Sequence, residues 1–118
     1  LQVAGDYSYR SGQSIAREIF SRGSWPDAVF CSGSRLAYAV MDTARLQFGI
    51  HIPEQLSVAA YDDLIASDMD SYQLTSVQQP SDELAETAIR LLLQQIEGGH
   101  PIETIFAAPS LAIRGSVR

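Results

Sequence analysis

The chain has 118 residues, of which 46% are hydrophobic, and a formal net charge of −6. This size predicts one globular domain with a core of its own, and no apolar run approaches the roughly 20 residues that span a membrane. All eight basic residues are arginine. An acidic chain without lysine is a poor partner for phosphate backbones, so we expect no direct nucleic-acid binding by this segment. The single cysteine, Cys31, is expected to be a small buried apolar residue.

The first half of the chain alternates strand and helix. Ser11 is predicted to cap a helix that ends at Gly23. Ser34 is predicted to cap a second helix that Gly49 ends. The strands predicted around them are Leu1–Ala4, Ala28–Cys31 and Leu56–Tyr61. Strand, helix and strand at this spacing form a βαβ unit, which requires a parallel strand pair and a right-handed crossover.

The second half continues this pattern less regularly. Residues 64–74 are acidic and only weakly periodic, and a strand is predicted at Thr75–Val77. A long helix is predicted from Pro80, with Asp82 and Glu83 in its first turn, where the helix dipole favours acids. Its predicted apolar face comprises Leu84, Ala88, Leu91, Leu92 and Ile96. Two final strands are predicted at Thr104–Ala107 and Leu111–Val117. The predicted class is α/β, a three-layer Rossmann-like subdomain with a mostly parallel sheet.

Polar residues directly follow four of the six predicted strands. Asp62-Asp63 ends the strand Leu56–Tyr61, and the other three strand ends lead into Gly5-Asp6-Tyr7-Ser8, Ser32-Gly33-Ser34 and Gln78-Gln79-Pro80. In an open α/β sheet, ligands bind at the carboxyl ends of the strands. An aromatic ring, free backbone N–H groups, a carboxylate and an amide at that edge predict a site for a polyol or a heterocycle. The plainer interpretation is that the acids are turn formers and Ser34 is only a helix cap.

Catalytic sites find little support in the sequence. Cys31-Ser-Gly-Ser-Arg35 has the wrong order for a Gly-x-Ser-x-Gly nucleophile elbow, and no P-loop or Gly-x-Gly-x-x-Gly motif occurs. One cysteine and two distant histidines do not have the spacing of a zinc site. The Asp62-Asp63 pair resembles a phosphoryl-accepting site, but such sites also use a lysine. We therefore expect no enzyme activity, no metal and no cofactor.

Five motifs in register resemble one protein family. They are Pro26-Asp-Ala-Val-Phe30, Ile52-Pro-Glu-Gln-Leu-Ser-Val58, Tyr61-Asp-Asp63, Leu74-Thr-Ser-Val-Gln-Gln-Pro80 and Arg114-Gly-Ser116. Together they resemble the C-terminal half of the effector-binding domain of lactose/galactose-repressor-type (LacI/GalR) transcription regulators, over nearly the whole chain. The resemblance implies a periplasmic-binding-protein-like fold. It also implies that residues 1–118 form the C-terminal subdomain of a longer protein, without its N-terminal subdomain and its DNA-binding helix-turn-helix.

The resemblance also implies which residues bind the effector. Tyr7 matches the aromatic residue that stacks on the ligand, and Asp62 matches the acid that binds a ligand hydroxyl or ring nitrogen. Gln79 matches a glutamine at a crossover between subdomains. Gly33 and Ser34 stand where many members have Asn-Asp, which argues against a common hexose as the ligand. We predict a ligand site formed by Tyr7, Gly33, Ser34, Asp62 and Gln79.

The implied function is effector sensing by a DNA-binding repressor in the cytoplasm. The expected partners are a sugar, nucleoside or related polar metabolite, a second copy of the chain, and DNA only through the N-terminal domain. Dimer contacts are expected on residues 64–74 and on the second helix, whose apolar residues (Leu36, Ala39, Val40, Met41) occupy more than one face. The alternative is a periplasmic solute-binding protein with the same fold, and a remoter one is a stand-alone interaction domain.

Overall fold

The computed structural model describes residues 5–98 and 104–118, and the strand predicted at Leu1–Ala4 lies outside them. Three helices and four strands alternate along the chain. The helices are α1 (Tyr9–Phe20), α2 (Ser34–Phe48) and α3 (Ser81–Gly98), and the strands are β1 (Ala28–Cys31), β2 (Ser57–Tyr61), β3 (Thr75–Gln78) and β4 (Ser110–Ala112). The described residues divide into two units, of which the second is Gln79–Ser110. The prediction of a single subdomain stays a prediction.

The sheet has the strand order β1-β2-β3-β4, with β1 parallel to β2 and β2 parallel to β3. The α/β class with a mostly parallel sheet is thus confirmed. Val58 and Ala60, two residues apart on β2, are both completely buried, as expected for one face of a strand that packs against a helix. The strand predicted at Thr104–Ala107 is wrong, because residues 104–109 have no regular structure and the strand begins at Ser110.

Two helix starts differ from the predictions by a few residues. Ser8, not Ser11, caps α1, because the Ser8 hydroxyl accepts the backbone N–H of Ser11 at 3.0 Å. The cap of α2 is Gly33 and not Ser34, which is the first helical residue. The prediction for the end of α2 is confirmed: Gly49 has φ 65°, a left-handed conformation that suits glycine at a helix C-terminus.

Helices α1 and α2 pack against each other without an intervening layer of large side chains. A Cβ atom added to Gly12 on α1 would lie 2.8 Å from the Cβ of Ala39 on α2, so only glycine permits this approach. Val40 and Met41 are also buried within the chain. The interpretation that the second apolar face of α2 is free for a partner is therefore wrong for these residues, since α1 and the rest of the core cover it.

The segment between β2 and β3 is anchored on α2 by polar contacts. It contains a short 3-10 helix, Ile65–Asp68. The Tyr38 hydroxyl lies 2.8 Å from the Ser67 hydroxyl, and the Tyr72 hydroxyl donates to Asp42 at 3.0 Å. Because both contacts reach α2, the segment has a defined path despite its weak sequence periodicity.

Helix α3 has the predicted apolar face, but none of its described side chains is buried. Leu92 is 60% exposed and Ile96 is 71% exposed. An apolar stripe of this length normally faces a core. Among the residues that the structure describes, no helix is long and apolar enough to cross a bilayer.

Candidate functional site

The carboxyl ends of β1 and β2 place several of the predicted residues at one edge of the sheet. Gly33 and Ser34 follow β1 and Asp62 follows β2, and the two strands are parallel. A Cβ atom added to Gly33 would lie 3.8 Å from Cδ1 of Tyr7, so the tyrosine ring lies beside the start of α2. The Ser34 hydroxyl donates to the backbone carbonyl of Asp62. The structure thus brings Tyr7, Gly33, Ser34 and Asp62 together.

Gln79 is the first residue of the second unit. It is exposed, and its backbone carbonyl accepts the N–H of Ser81 at 2.9 Å. This contact belongs to the start of α3. A contact between Gln79 and an effector therefore stays a prediction.

Two of the predicted residues have a left-handed backbone. Tyr7 has φ 62° and Asp62 has φ 78°. For most residues other than glycine this conformation costs on the order of 1–2 kcal/mol, although aspartate adopts it more readily. Gln73, in the segment before β3, also has a positive φ of 44°. Such conformations are enriched at ligand sites, so their occurrence at both Tyr7 and Asp62 agrees with a functional role for this edge.

The turn that presents Tyr7 is held by its polar neighbours. The Asp6 carboxylate accepts the backbone N–H of Ser8 at 3.0 Å, and Ser8 in turn caps α1. Hydrogen bonding by the Ser8 side chain, followed by the Ser8 backbone N–H, lowers the pKa of Asp6 and so favours its charged carboxylate. The Tyr7 side chain is 63% exposed. A rigid turn with a solvent-facing ring is suited to stacking on a flat ligand.

Asp62 and Asp63 have different surroundings despite being neighbours. The Asp63 carboxylate accepts two Arg114 nitrogens at 2.8 and 2.9 Å and the Ser76 hydroxyl at 2.6 Å. The Arg114 guanidinium lowers the pKa of Asp63 to about 2, although desolvation opposes the shift. Asp62 is partly buried, and its carboxylate accepts the Asp63 backbone N–H at 3.1 Å. The Asp63 side chain is thus engaged by Arg114 and Ser76, whereas Asp62 is the residue that directly follows β2.

Ser34 is completely buried, and its hydroxyl is engaged with the carbonyl of Asp62. A contact between this hydroxyl and an effector stays a prediction. The structure shows a second role for Ser34, which is to fix the backbone of Asp62. The backbone N–H groups of Ser34 and Arg35 lie at the same place, ahead of Leu36, whose N–H donates to the Gly33 carbonyl at 3.1 Å. The N–H groups of a first helical turn and the positive end of the helix dipole suit a polar ligand.

Arg114 and Ser76 were not among the predicted site residues. Arg114 lies 51 positions after Asp63 in the sequence, and its guanidinium also donates to the Leu74 carbonyl at 2.7 Å. The next residues extend this anchor: the Ser116 hydroxyl accepts the N–H of Thr75 and donates to the Val58 carbonyl. The available signals were the two adjacent acids and the motifs Leu74-Thr-Ser-Val-Gln-Gln-Pro80 and Arg114-Gly-Ser116, which contain Ser76 and Arg114 but do not show that either residue contacts Asp63.

Comparisons with known proteins identify the family. Residues 2–117 match the model of the periplasmic binding protein-like domain. The HTH-type transcriptional repressor PurR of Salmonella arizonae is 34% identical over 116 residues, which are 98% of this chain and 34% of that protein. This chain therefore spans about a third of the length of that relative.

Solved structures agree with the sequence comparison. A dimeric Lac repressor with a C-terminal deletion superposes with a TM-score of 0.87 and 26% identity, covering 96% of this chain and 41% of that one. A complex of the transcriptional regulator CelR with cellobiose superposes with a TM-score of 0.83 and 31% identity, covering 95% of this chain and 34% of that one. These named relatives are transcription regulators, so they do not favour the periplasmic transport alternative. The chain belongs to the periplasmic binding protein-like domain family, in the form found in LacI-type transcription regulators.

Proposed function

We propose that this chain forms one wall of the effector site in a LacI-type transcriptional repressor. The observation that carries the proposal is the convergence of Tyr7, Gly33 and Asp62 at the carboxyl edge of the sheet, with two of the three in strained backbone conformations. A carboxylate and an aromatic ring beside a helix N-terminus suit a small polar ring compound, such as a sugar, a nucleobase or a nucleoside. The proposed role is sensing, with no catalytic step.

Binding at this wall would control the repressor by favouring one arrangement of its parts. An effector shifts such an equilibrium only by the difference between its affinities for the two states. DNA contacts would come from a separate helix-turn-helix domain, because this segment is acidic and has no lysine. A regulator of this kind acts in the cytoplasm.

The apolar stripe of α3 needs a covering surface. Within the second unit its described side chains are not buried. We expect this face of α3 to be covered in the full-length protein, because an exposed stripe of leucine and isoleucine would otherwise promote association.

A homodimer is the proposed assembly. The 3-10 segment exposes three apolar side chains, Leu64, Ile65 and Met69, of which Ile65 is 89% exposed. Exposed apolar residues that are clustered in this way are typical of protein interfaces. Light scattering of the full-length protein should give the mass of a dimer. Replacing Ile65 with aspartate should shift it towards the monomer, because a charge would be buried at the contact.

Effector binding is tested on the full-length protein with a panel of sugars, nucleobases and nucleosides. We expect at least one compound to raise the melting temperature and to change operator affinity. Asp62→Ala should weaken its binding by about tenfold or more, since a charge-assisted hydrogen bond contributes roughly 1.5–3 kcal/mol.

The matched control is Asp27→Ala. Asp27 precedes β1, at the amino-terminal edge of the sheet, and its side chain is 96% exposed. Asp27→Ala removes a carboxylate of the same kind from a position away from the proposed site, so effector affinity should stay unchanged. Equal losses for both substitutions, or unchanged affinity with Asp62→Ala, would contradict the proposed site.

A further inference from the structure

The conformation of Asp62 depends on contacts made by other residues. Its backbone N–H donates to the Val77 carbonyl at 2.9 Å, and its carbonyl accepts the Ser34 hydroxyl. These two bonds fix the peptide groups on either side of Asp62. A left-handed backbone, here with φ 78°, persists where surrounding contacts impose it, and the next residue in the chain supplies further contacts of this kind.

That next residue, Asp63, has the strongest anchor in this part of the protein. Two parallel hydrogen bonds join its carboxylate to the Arg114 guanidinium, and such paired bonds fix orientation as well as distance. Ser76 on β3 holds one of the same carboxylate oxygens at 2.6 Å. Asp63 is therefore tied to β3 and to the C-terminal segment at once. Its backbone N–H in turn contacts the Asp62 carboxylate.

Arg114 is itself immobilised. Its guanidinium donates to the Leu74 carbonyl, and its backbone N–H donates to the Thr75 hydroxyl at 2.9 Å. Its side chain is only 18% exposed. The charge that orients Asp63 thus rests on a rigid support and does not belong to a mobile surface arginine.

We propose that Arg114 is a positioning residue for the effector site, acting through Asp63 to hold Asp62 in its left-handed conformation with the carboxylate at the edge of the sheet. The claim that Arg114 supports effector binding rests on the proposed function. The claim that Arg114 holds the backbone conformation of Asp62 does not, and it is testable without an effector. Arg114 itself does not need to touch the ligand.

The test is hydrogen exchange of the full-length protein, measured by mass spectrometry with overlapping peptides that separate two amides. The Asp62 N–H reports the turn, and the Val58 N–H, which donates to the Ser116 carbonyl at 2.8 Å, reports the nearby C-terminal segment. Arg114→Met should speed exchange at Asp62 by about tenfold or more through local opening, with a much smaller change at Val58. Arg114→Lys keeps the charge but not the paired geometry, so it should restore part of the protection.

The control variant is Ser116→Ala. It removes the hydroxyl that bonds Thr75 and Val58 but leaves the Asp63 contacts intact, so exchange should rise more at Val58 than at Asp62. If Arg114→Met does not fold, the same comparison is made with Arg114→Lys. Equal acceleration at both amides in every variant would overturn the proposal, because Arg114 would then only stabilise the domain. The effector-binding experiment tests the proposed function separately, whatever the hydrogen-exchange experiment shows.

Discussion

Replacing Asp63 with asparagine should reduce both the stability of the protein at neutral pH and its loss of stability in acid. The Asp63 side chain is 7% exposed and is paired with Arg114. The Arg114 guanidinium is the main reason why the pKa of Asp63 falls from 3.8 to about 2. The hydrogen bond from the Ser76 hydroxyl lowers this pKa further. The charged form is therefore bound more tightly in the folded protein than in the unfolded chain.

The size of the effect follows from this difference in pKa. A shift of somewhat under two units, at about 1.4 kcal/mol for each unit, corresponds to about 2 kcal/mol. Because the folded pKa is lowered, this stability is fully present above the unfolded pKa near 4 and is lost as the pH falls through the folded pKa near 2. About half of it should be lost by roughly pH 3.

Urea unfolding of the full-length protein and of Asp63→Asn at neutral pH and at several acidic pH values measures the difference directly. Other carboxylates titrate in both proteins, so their contribution cancels in the comparison. We expect the wild type to be about 2 kcal/mol more stable at pH 7, the difference to fall to about half near pH 3, and the two curves to converge at about pH 2. A stability difference that stays constant from pH 7 to pH 2 would refute the assignment of this ion pair as the stabilising contact.

Two further predictions concern the packing of α1. Gly12→Val should destabilise the protein by about 1–3 kcal/mol in chemical denaturation, since even a Cβ atom at this position would lie 2.8 Å from the Cβ of Ala39. The control is Gly98→Ala, which should be nearly neutral because a Cβ atom at Gly98 has no neighbour within 4 Å. The hydrogen bond from Tyr9 to Asp42, at 2.6 Å, raises the pKa of Tyr9 to about 12. Tyr72 donates to the same carboxylate. In an alkaline absorbance titration, Asp42→Asn should therefore lower the pKa of Tyr9 towards 10 in both the wild-type and the Tyr72→Phe background, and an unchanged titration in the Tyr72→Phe background would show that the Tyr9 contact is not formed.

Local sequence determined most of the first unit. Apolar runs bounded by turn residues place β1, β2 and β3 within one or two residues, because burial of a strand between turns leaves a direct pattern in the sequence. The requirement that parallel strands end at one edge then gives the position of Asp62 without any knowledge of distant contacts. Helix ends were less certain, since several serines near a helix start can each serve as the cap.

Tertiary structure decided what each residue does. The sequence and the family resemblance assigned the ligand contact to Asp62, but only the tertiary structure shows what Asp63 does, because Arg114 reaches it from the far end of the chain. Apolar residues on two faces of α2 did not reveal whether a partner or α1 covers the second face, because burial depends on which element packs there. The exposed apolar face of α3 shows the same principle, since the sequence predicts an apolar stripe but cannot specify what covers it.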